Sequence, residues 1–392
     1  MLTSFHLLSQ LDRTLSDAAD GILGEREIRC RSTSRSRSIL ANVTSAYANL
    51  IVLHDGCDDR ALMLDGALQS HTADEHVYHE MLTHPALTLY TAMHGRPPTS
   101  VFLGGSGEGA GGRELLKWRR SSSDDTAEKL RVQMCELDAA VMQLSRAWLP
   151  AMAVGLADPR VDVRVRDAVE CLREAPVESF GVIILDFPDF PDDADDDHPI
   201  GQLYAPSLYR LAKSRLAPGG VLLTQSGGEA PATSAESGRE PIRMTQETVA
   251  ALQAAGFAHV DTLVYPMPMW YDRNVSDDEE ADEHHRRDEQ SRGYFWGSVA
   301  LASSAHPHVA AEHGAAASGT LAALPAETVD RILSKWVARD AGWLRFYSGA
   351  RHEAAWSSSK PSSSTLTRGA RRPRAPPPPA EVNKGVRMRK EL

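Results

Sequence analysis

The chain has 392 residues, of which 42% are hydrophobic, so wholesale disorder is excluded, and no apolar run reaches the ~20 residues of a membrane-spanning helix. The formal charge of −11 argues against general nucleic-acid binding and suits a cationic partner. The four cysteines, Cys30, Cys57, Cys135 and Cys171, form no CxxC pair, which predicts neither a disulfide framework nor a zinc site and favours a reducing compartment.

Both ends of the chain have compositions that do not build a core. Residues 1–38 form an N-terminal extension whose acidic residues interrupt a secretory signal, while the Arg/Ser-rich stretch at 29–38 leaves organellar import open beside a cytoplasmic location. Residues 357–392 form a Ser/Pro/Arg-rich tail with nine basic and two acidic residues, which predicts disorder. Without this tail of net charge +7, the remainder of the chain carries −18.

Residues 39–96 have the pattern of a small β-hairpin domain. The apolar runs NLIVLHD (49–55) and RALMLDG (60–66) are separated by a polar turn, as in a hairpin. The next stretch, DEHVYHEMLTHPAL (74–87), has apolar residues at helical spacing and predicts a helix.

Residues 97–305 alternate strands with helices, which predicts a doubly wound, Rossmann-like α/β domain. Residues 306–356 then form a C-terminal helical extension. The predicted strands are SVFLGG (100–105), VQMCELD (132–138), VDVRVRDA (161–168), GVIILDF (181–187), GGVLLTQ (219–225), AHVDTLVYP (258–266) and GYFWGSVALAS (293–303).

A glycine-rich loop, GGSGEGAGG (104–112), follows the first of these strands. Its glycines Gly105, Gly107 and Gly109 let the backbone turn tightly and approach a ligand in front of the next helix. Glu108 lies inside the loop and would repel a pyrophosphate. The loop therefore argues against a dinucleotide and favours a ligand with a cationic end.

Each of the next three strands also ends on acids. Glu136 follows the second strand, where a carboxylate suits a ribose diol, and Asp167 with Ala168 follows the third, where an adenine amino group could be recognised. Asp186 and Asp189 follow the fourth. One such acid could be a solvated strand end, but four consecutive strands that end on acids predict a negatively charged basin for an adenosine-bearing cation or a polyamine.

Several ordered motifs resemble one family. LDGALQS with DEHVYHEMLTHPAL, GGSGEGAGGRELL, CELDAAVMQLSRAWLP and FGVIILDFPD are similar to stretches of the polyamine aminopropyltransferases, the spermidine, spermine and thermospermine synthases. The resemblance extends over residues 43–360. It implies a fold of the S-adenosylmethionine-methyltransferase type behind a β-hairpin domain, a homodimer, and a reaction without metal or cofactor.

The resemblance also implies a role for each matching residue around the donor, decarboxylated S-adenosylmethionine. Glu136 would bind the ribose hydroxyls, and Asp167 with Ala168 would bind the adenine. Glu108 would meet the aminopropyl ammonium and reject ordinary S-adenosylmethionine, because a carboxylate facing a carboxylate in a poorly solvated site is costly.

The remaining roles concern the acceptor and the chemistry. Asp186 matches the catalytic aspartate and Tyr78 the tyrosine beside it. Asp189 matches an acid that binds the polyamine. Gln69, His79 and Gln225 match positions that line the two substrates, whereas Trp296 would line the far end of the acceptor site.

Three features favour the thermospermine-synthase-like branch: GEG in the loop, GQLYAPSLY (201–209), and FWGSVALAS (295–303). Ala48 replaces a family glutamine that helps to bind the nucleoside, and Phe190 replaces a proline. Two acidic insertions, 191–198 and 271–293, each carry a net charge of −5. The two insertions are predicted to be either surface loops or an acidic border of the polyamine site that attracts polycations.

The sequence leaves several functions open. The leading hypothesis is transfer of an aminopropyl group to spermidine to make thermospermine, with spermidine or spermine synthesis as the alternative within the family. An S-adenosylmethionine-dependent methyltransferase on the same sheet and an inactive polyamine-binding relative are the alternatives outside it. The expected partners are polyamine and nucleoside substrates, without nucleic acid or membrane.

Overall fold

The computed structural model describes residues 38–54, 59–118, 130–189, 200–229, 243–267, 295–303, 324–338 and 344–358. Both acidic insertions, Phe190, the basic tail after residue 358 and residues 1–37 lie outside the described residues, so the expectations about them stay predictions. The domain boundaries at 38/39, 96/97, 305/306 and 356/357 stay predictions as well.

The N-terminal part is an antiparallel sheet, and the predicted hairpin forms its centre. Its four strands pair in chain order, with Leu53 opposite Ala61. Leu50, Val52 and Leu62 are buried against the helix that follows the sixth strand. The strands are β1 (Ser38–Thr44), β2 (Asn49–His54), β3 (Arg60–Leu64) and β4 (Ala67–His71).

A long helix, α1 (Glu75–His94), connects this sheet to the central sheet. The sequence predicts a helix over 74–87, and the observed helix is longer at its C-terminal end. Pro85 does not interrupt it, and Gly95 caps it with a φ of 72°. The added turns are stable because Leu89 and Ala92 are buried in the core.

The central sheet has seven strands in the order β10-β11-β9-β8-β5-β6-β7. Five adjacent strands, β9, β8, β5, β6 and β7, are parallel to one another. This confirms the Rossmann-like prediction. The strands are β5 (Ser100–Gly105), β6 (Arg131–Glu136), β7 (Val161–Val165), β8 (Phe180–Asp186), β9 (Leu216–Glu229), β10 (His259–Met267) and β11 (Phe295–Ser303).

Helices cover both faces of this sheet, which explains why its central strands are apolar throughout. Leu103 points into the core beneath α1, whereas the adjacent Phe102 belongs to the core on the opposite face. The further helices are α2 (Ala110–Leu116), α3 (Ala139–Trp148), α4 (Pro150–Ala153), α5 (Ala168–Glu174), α6 (Pro206–Arg215), α7 (Arg243–Ala254), α8 (Ala326–Trp336) and α9 (Gly349–Ser358).

The last two strands differ from the rest of the sheet. β10 and β11 pair antiparallel, and β11 is also antiparallel to β9. Alternating strand and helix patterns do not reveal this direction. Residues 268–294, which join β10 to β11, lie outside the described residues. Among the described helices, none is both long and apolar enough to cross a membrane.

One expectation about the cysteines is wrong. Cys135 on β6 and Cys171 on α5 form a disulfide, although the sequence predicts no disulfide framework. Both residues are buried where α5 packs on the sheet. Their separation of 36 residues carries no pairing signal, because the contact arises where α5, on the crossover from β7 to β8, passes over β6.

Candidate active site

The glycine loop passes directly over the end of β8. A Cβ atom on Gly105 would lie 2.0 Å from the carbonyl oxygen of Asp186, and Gly105 has a φ of 83°. Gly107 lies against another acid, since a Cβ atom there would lie 2.8 Å from the carboxylate carbon of Glu136. Gly109, with a φ of 93°, caps α2. The predicted loop glycines therefore bring the backbone onto two predicted site acids.

We expect Gly105→Ala to destabilise the protein more than Gly95→Ala. Both positions have positive φ, which costs an alanine about 1–2 kcal/mol. Nothing lies within 4 Å of a Cβ atom at Gly95, whereas Gly105 adds the collision with Asp186. Urea unfolding should show a further loss of ~1–3 kcal/mol for Gly105→Ala. Equal losses would contradict the close approach.

Tyr78 and Asp186 form a hydrogen-bonded pair, in which the tyrosine hydroxyl donates to Oδ1 of the carboxylate. Burial and the charge of Asp186 raise the pKa of Tyr78 well above its usual value, so this hydroxyl remains a donor. Burial and the nearby charge of Glu108 raise the pKa of Asp186 to about 7, although His79 and Tyr78 act to lower it. Asp186 can therefore exchange a proton near neutral pH.

His79 lies between two carboxylates. Its Nε2 is 2.5 Å from Oε1 of Glu108, and its Nδ1 is 2.9 Å from Oε2 of Glu75. Burial alone would lower the pKa of His79, but the hydrogen bonds and charges of Glu108 and Glu75 raise it to about 10. Although burial acts to raise the pKa of Glu108, its hydrogen bond with His79 holds it below the usual value. Glu108 is therefore ionised at neutral pH.

Arg113 on α2 completes this chain of charges. Its Nη1 and Nη2 donate to the two carboxylate oxygens of Glu75 at 3.0 and 2.8 Å. Burial acts to raise the pKa of Glu75, but His79 and Arg113 lower it to about 2. Four alternating charges thus connect α2, α1 and the glycine loop, and they fix where the Glu108 carboxylate lies.

Glu136 is the third acid of the basin. Burial raises its pKa to about 7, and the charges of Glu108 and Asp186 add to the effect, while the backbone N–H of Asp138 opposes it. That N–H donates to Oε1 of Glu136 at 2.8 Å. Asp138 itself caps α3 by accepting from the N–H of Ala140, so its role is structural.

Asp167 differs from Glu108, Glu136 and Asp186, which are half-buried. Asp167 is exposed and caps α5 by accepting from the N–H of Val169 at 2.6 Å. Ala168 is buried beside the strand end, with its Cβ 3.2 Å from the position a Cβ would take on Gly104. The predicted strand over 161–168 ends at Val165, because Asp167 begins the next helix.

Asp189 belongs to a second polar cluster. The amide of Gln225 at β9 donates to Oδ1 of Asp189, and the hydroxyl of Tyr204 donates to Oε1 of Gln225 at 2.8 Å. Burial and the charge of Asp189 raise the pKa of Tyr204 well above its usual value. Asp189 is exposed, so this cluster presents a fixed carboxylate to solvent.

Two predicted site residues lie apart from these contacts. Gln69 is half-buried on β4, at a bulge where Leu62 pairs with Ser70 and Met63 with Leu68. Bulges re-aim side chains near sites. The backbone of Trp296 pairs with Pro266 on β10, but its side chain lies outside the described residues.

His79, Glu108 and Asp186 offer ligand atoms within 4.8 Å of one another, a spacing at which a metal ion could bind. The imidazolium of His79, however, directs N–H groups towards Glu75 and Glu108, which leaves no lone pair for a metal. The carboxylates repel each other, as the raised pKa of Asp186 shows. The arrangement therefore suits an organic ammonium better than a metal ion.

Sequence reasoning missed four residues that shape the site: Glu75, Arg113, Tyr204 and Tyr265. Tyr265 is 1% exposed, and burial, together with the charges of Asp186 and Asp189, raises its pKa. Glu75 and Arg113 resembled ordinary helical charges, and only their placement opposite His79 distinguishes them. Tyr204 lies in the quoted GQLY stretch, whose tyrosine was an available signal.

The chain matches the model of the spermine/spermidine synthase domain over residues 75–275, just over half of its length. The chain belongs to the spermine/spermidine synthase family. The matched residues extend from the start of α1 past β10 and contain most of the basin described above. The resemblance drawn from the motifs is confirmed.

Curated relatives support the same family. A polyamine aminopropyltransferase 1 of Hyperthermus butylicus is 38% identical over 197 residues, which cover 48% of this chain and 60% of the relative. The thermospermine synthase ACAULIS5 of Arabidopsis thaliana is 34% identical over 191 residues, which cover 48% of this chain and 51% of the relative. The chain thus spans about half the length of the curated relatives it matches.

Solved structures of the family share the fold. The crystal structure of a spermidine synthase from Thermotoga maritima superimposes with a TM-score of 0.55 at 20% identity, and covers 81% of this chain and 84% of its own. A spermidine synthase in complex with the transition state analogue AdoDATO gives the same values. These matches confirm a β-hairpin sheet in front of a Rossmann-like sheet.

Proposed function

We propose that the chain is a polyamine aminopropyltransferase that moves the aminopropyl group of decarboxylated S-adenosylmethionine to spermidine and makes thermospermine. One observation carries the proposal. The carboxyl ends of β5 and β8 bring Glu108 within reach of Asp186, and Asp186 is hydrogen-bonded to a tyrosine that stays protonated. This arrangement can hold an ammonium beside a proton acceptor.

The acceptor amine must first lose a proton. A polyamine nitrogen has a pKa near that of lysine, about 10.4, so it arrives protonated and is not a nucleophile. Asp186 takes this proton, while Tyr78 holds the carboxylate in place. The freed nitrogen forms a bond to the methylene carbon beside the sulfonium. The carbon–sulfur bond breaks with its electron pair on sulfur, which leaves neutral methylthioadenosine.

The donor is held by the basin. Glu108 pairs with the aminopropyl ammonium and disfavours the carboxylate of ordinary S-adenosylmethionine. Glu136 accepts hydrogen bonds from the ribose hydroxyls, and it lies next to Gly107, so the loop approaches the ribose. Asp167 and Ala168 contact the adenine at the end of β7, and Gln69 and His79 line the two substrates.

The acceptor site lies at the cluster of Asp189, Gln225 and Tyr204. Asp189 binds a second ammonium of the polyamine, and Trp296 lines the far end. Spermidine is the proposed acceptor because the GQLY and FWGSVALAS stretches are similar to the thermospermine branch. The named thermospermine synthase of Arabidopsis thaliana is among the relatives, alongside aminopropyltransferases without that designation.

The test is an incubation of the full chain with decarboxylated S-adenosylmethionine and putrescine, spermidine or spermine, each separately. Chromatography that separates thermospermine from spermine identifies the product, and methylthioadenosine is quantified in parallel. We expect thermospermine from spermidine in equal amount to methylthioadenosine. Spermine instead of thermospermine would overturn the regiochemistry, and no product from any acceptor would overturn the activity. S-adenosylmethionine as donor is the control and should give no product.

Assembly and location are part of the same proposal. The family resemblance supports a homodimer. The proposed location is the cytoplasm, with the Arg/Ser-rich stretch at 29–38 as the feature that would support import into an organelle. Light scattering of the purified chain should give about twice the monomer mass of 42.7 kDa. A monomeric mass would contradict the dimer without affecting the proposed chemistry.

A further inference from the structure

Glu80 on α1 lies next to His79, but its contacts belong to another part of the chain. Its carboxylate is fully buried and accepts three backbone N–H groups, from Arg345 at 2.7 Å, Phe346 at 2.8 Å and Tyr347 at 2.7 Å. These donors are about 265 residues away in sequence. They lie in the C-terminal extension, outside the residues matched by the family model.

The 344–347 segment is held firmly in place around this contact. The ring of Tyr347 stacks on His84 of α1 with 5.7 Å between centroids, and its hydroxyl lies 2.9 Å from Nδ1 of His352 on α9. The N–H of Gly349, at the start of α9, donates to Asp330 on α8 at 2.7 Å. The segment thus has one anchor on α1 and a second on α8.

Glu80, the anchor on α1, lies on the face of the helix opposite to the active site. Residues two apart lie about 200° apart around an α-helix, so Glu80 faces away from Tyr78. Tyr78 binds Asp186 on one side, and Glu80 binds the 344–347 segment on the other. A helix held on both sides has little freedom to rotate about its axis.

From these contacts we infer that Glu80 is a positioning residue: by binding the 344–347 segment it fixes the rotation of α1, and with it the placement of Tyr78 and His79. The inference rests on the proposed function for its effect on turnover. A buried carboxylate is stable only when its oxygens accept hydrogen bonds, and backbone N–H groups left without an acceptor are costly. Loss of the carboxylate therefore weakens the hold of the segment on α1, while the anchor on α8 remains.

The decisive variant is Glu80→Gln, which keeps the shape but directs an amide NH₂ towards backbone donors. We expect kcat to fall by roughly tenfold or more, because small displacements of reacting groups have large effects on rate. The acid limb of the pH–rate profile should move to higher pH, since the hydrogen bond from Tyr78 lowers the pKa of Asp186. His79 on α1 is displaced together with Tyr78, and because its charge also lowers the pKa of Asp186, this displacement acts in the same direction. Glu108, whose charge raises that pKa, and Asp189 and Tyr265 lie on other elements and are not altered directly.

The matched control is Asp330→Asn, which weakens the second anchor of the same segment without touching α1. It should lower thermal stability but leave kcat within about twofold and the acid limb in place. If Glu80→Gln also leaves kcat and the acid limb unchanged, the inference is wrong. If Glu80→Gln does not fold, Arg345→Pro removes one of the three donors at an exposed position and should show the same two changes to a smaller degree.

Hydrogen exchange separates this inference from the proposed function. The amides of α1 around residue 80 should exchange faster in Glu80→Gln, or in Arg345→Pro, than in Asp330→Asn. If the unmodified chain makes no product, the proposed function fails and the exchange result alone decides the inference. Equal exchange in α1 for these variants would overturn it.

Discussion

Asp186→Asn should lower kcat by roughly 10²- to 10⁴-fold, the range expected for loss of a general base. Asparagine still accepts the hydrogen bond from Tyr78, so the geometry of the pair is kept while the proton acceptor is lost. Rates of methylthioadenosine release under saturating substrates measure the effect. Near-normal turnover would remove Asp186 from the role of base.

The neighbouring acid provides the control for this variant. Asp189→Asn removes a carboxylate three residues away that is bound to Gln225 rather than to Tyr78. We expect it to raise KM for the polyamine with a much smaller effect on kcat. A drop in kcat as large as that of Asp186→Asn would show that negative charge, rather than proton transfer, is what both residues supply.

The pH dependence of kcat/KM is an independent test of the role of Asp186. Because burial and Glu108 raise the pKa of Asp186 to about 7, kcat/KM should rise with pH through an acid limb near that value. Glu136 also has a pKa raised to about 7, so the limb is assigned to Asp186 only if it disappears in Asp186→Asn and persists in Glu136→Gln.

The raised pKa also affects stability. The folded state binds the Asp186 proton up to about pH 7, whereas the unfolded chain releases it near pH 4. The contribution is therefore lost as pH rises from about 4 to 7, so wild type should be less stable than Asp186→Asn at pH 8, and this difference should shrink at pH 4. Thermal unfolding at both pH values measures it. An active site that keeps an unfavourable carboxylate gives up stability for function.

The position of the site could be predicted because alternating strands and helices place acids at one edge of a sheet. Glu108, Glu136 and Asp186 follow strands that are neighbours in the order β8-β5-β6, so their meeting follows from topology. The spacing does not show which acid faces the basin. Asp138 is two residues after Glu136, and only its position as an N-cap explains why it binds a backbone N–H instead.

Contacts between distant segments could not be predicted. Glu80 belongs to a quoted family motif, but nothing near it in sequence indicates that its partners are residues 345–347. The Cys135–Cys171 disulfide has the same origin. Each of these pairs forms only when separate elements pack together. A single amino-acid sequence carries no visible record of that packing.

Glu108→Gln should change which nucleoside the chain accepts. Loss of a charged hydrogen bond to the aminopropyl ammonium should weaken binding of decarboxylated S-adenosylmethionine by about tenfold to a hundredfold. Ordinary S-adenosylmethionine should lose its electrostatic penalty at the same position, because Glu108 is the carboxylate that remains ionised beside His79. Calorimetric titration with both nucleosides gives the affinity for decarboxylated S-adenosylmethionine divided by the affinity for S-adenosylmethionine. We expect this ratio to fall by a larger factor than the affinity for the decarboxylated donor, because binding of S-adenosylmethionine improves at the same time.

Glu136→Gln is the matched control, because it removes another acid of the same basin. Glu136 lies against Gly107 on the side proposed for the ribose, a part that both nucleosides share. We therefore expect both affinities to fall by the same factor and their ratio to stay constant. If Glu108→Gln also leaves the ratio constant, Glu108 does not discriminate between the two nucleosides. The net negative charge of the whole basin would then explain the preference for the decarboxylated donor. If only Glu108→Gln changes the ratio, one carboxylate held by the imidazolium of His79 selects the decarboxylated donor.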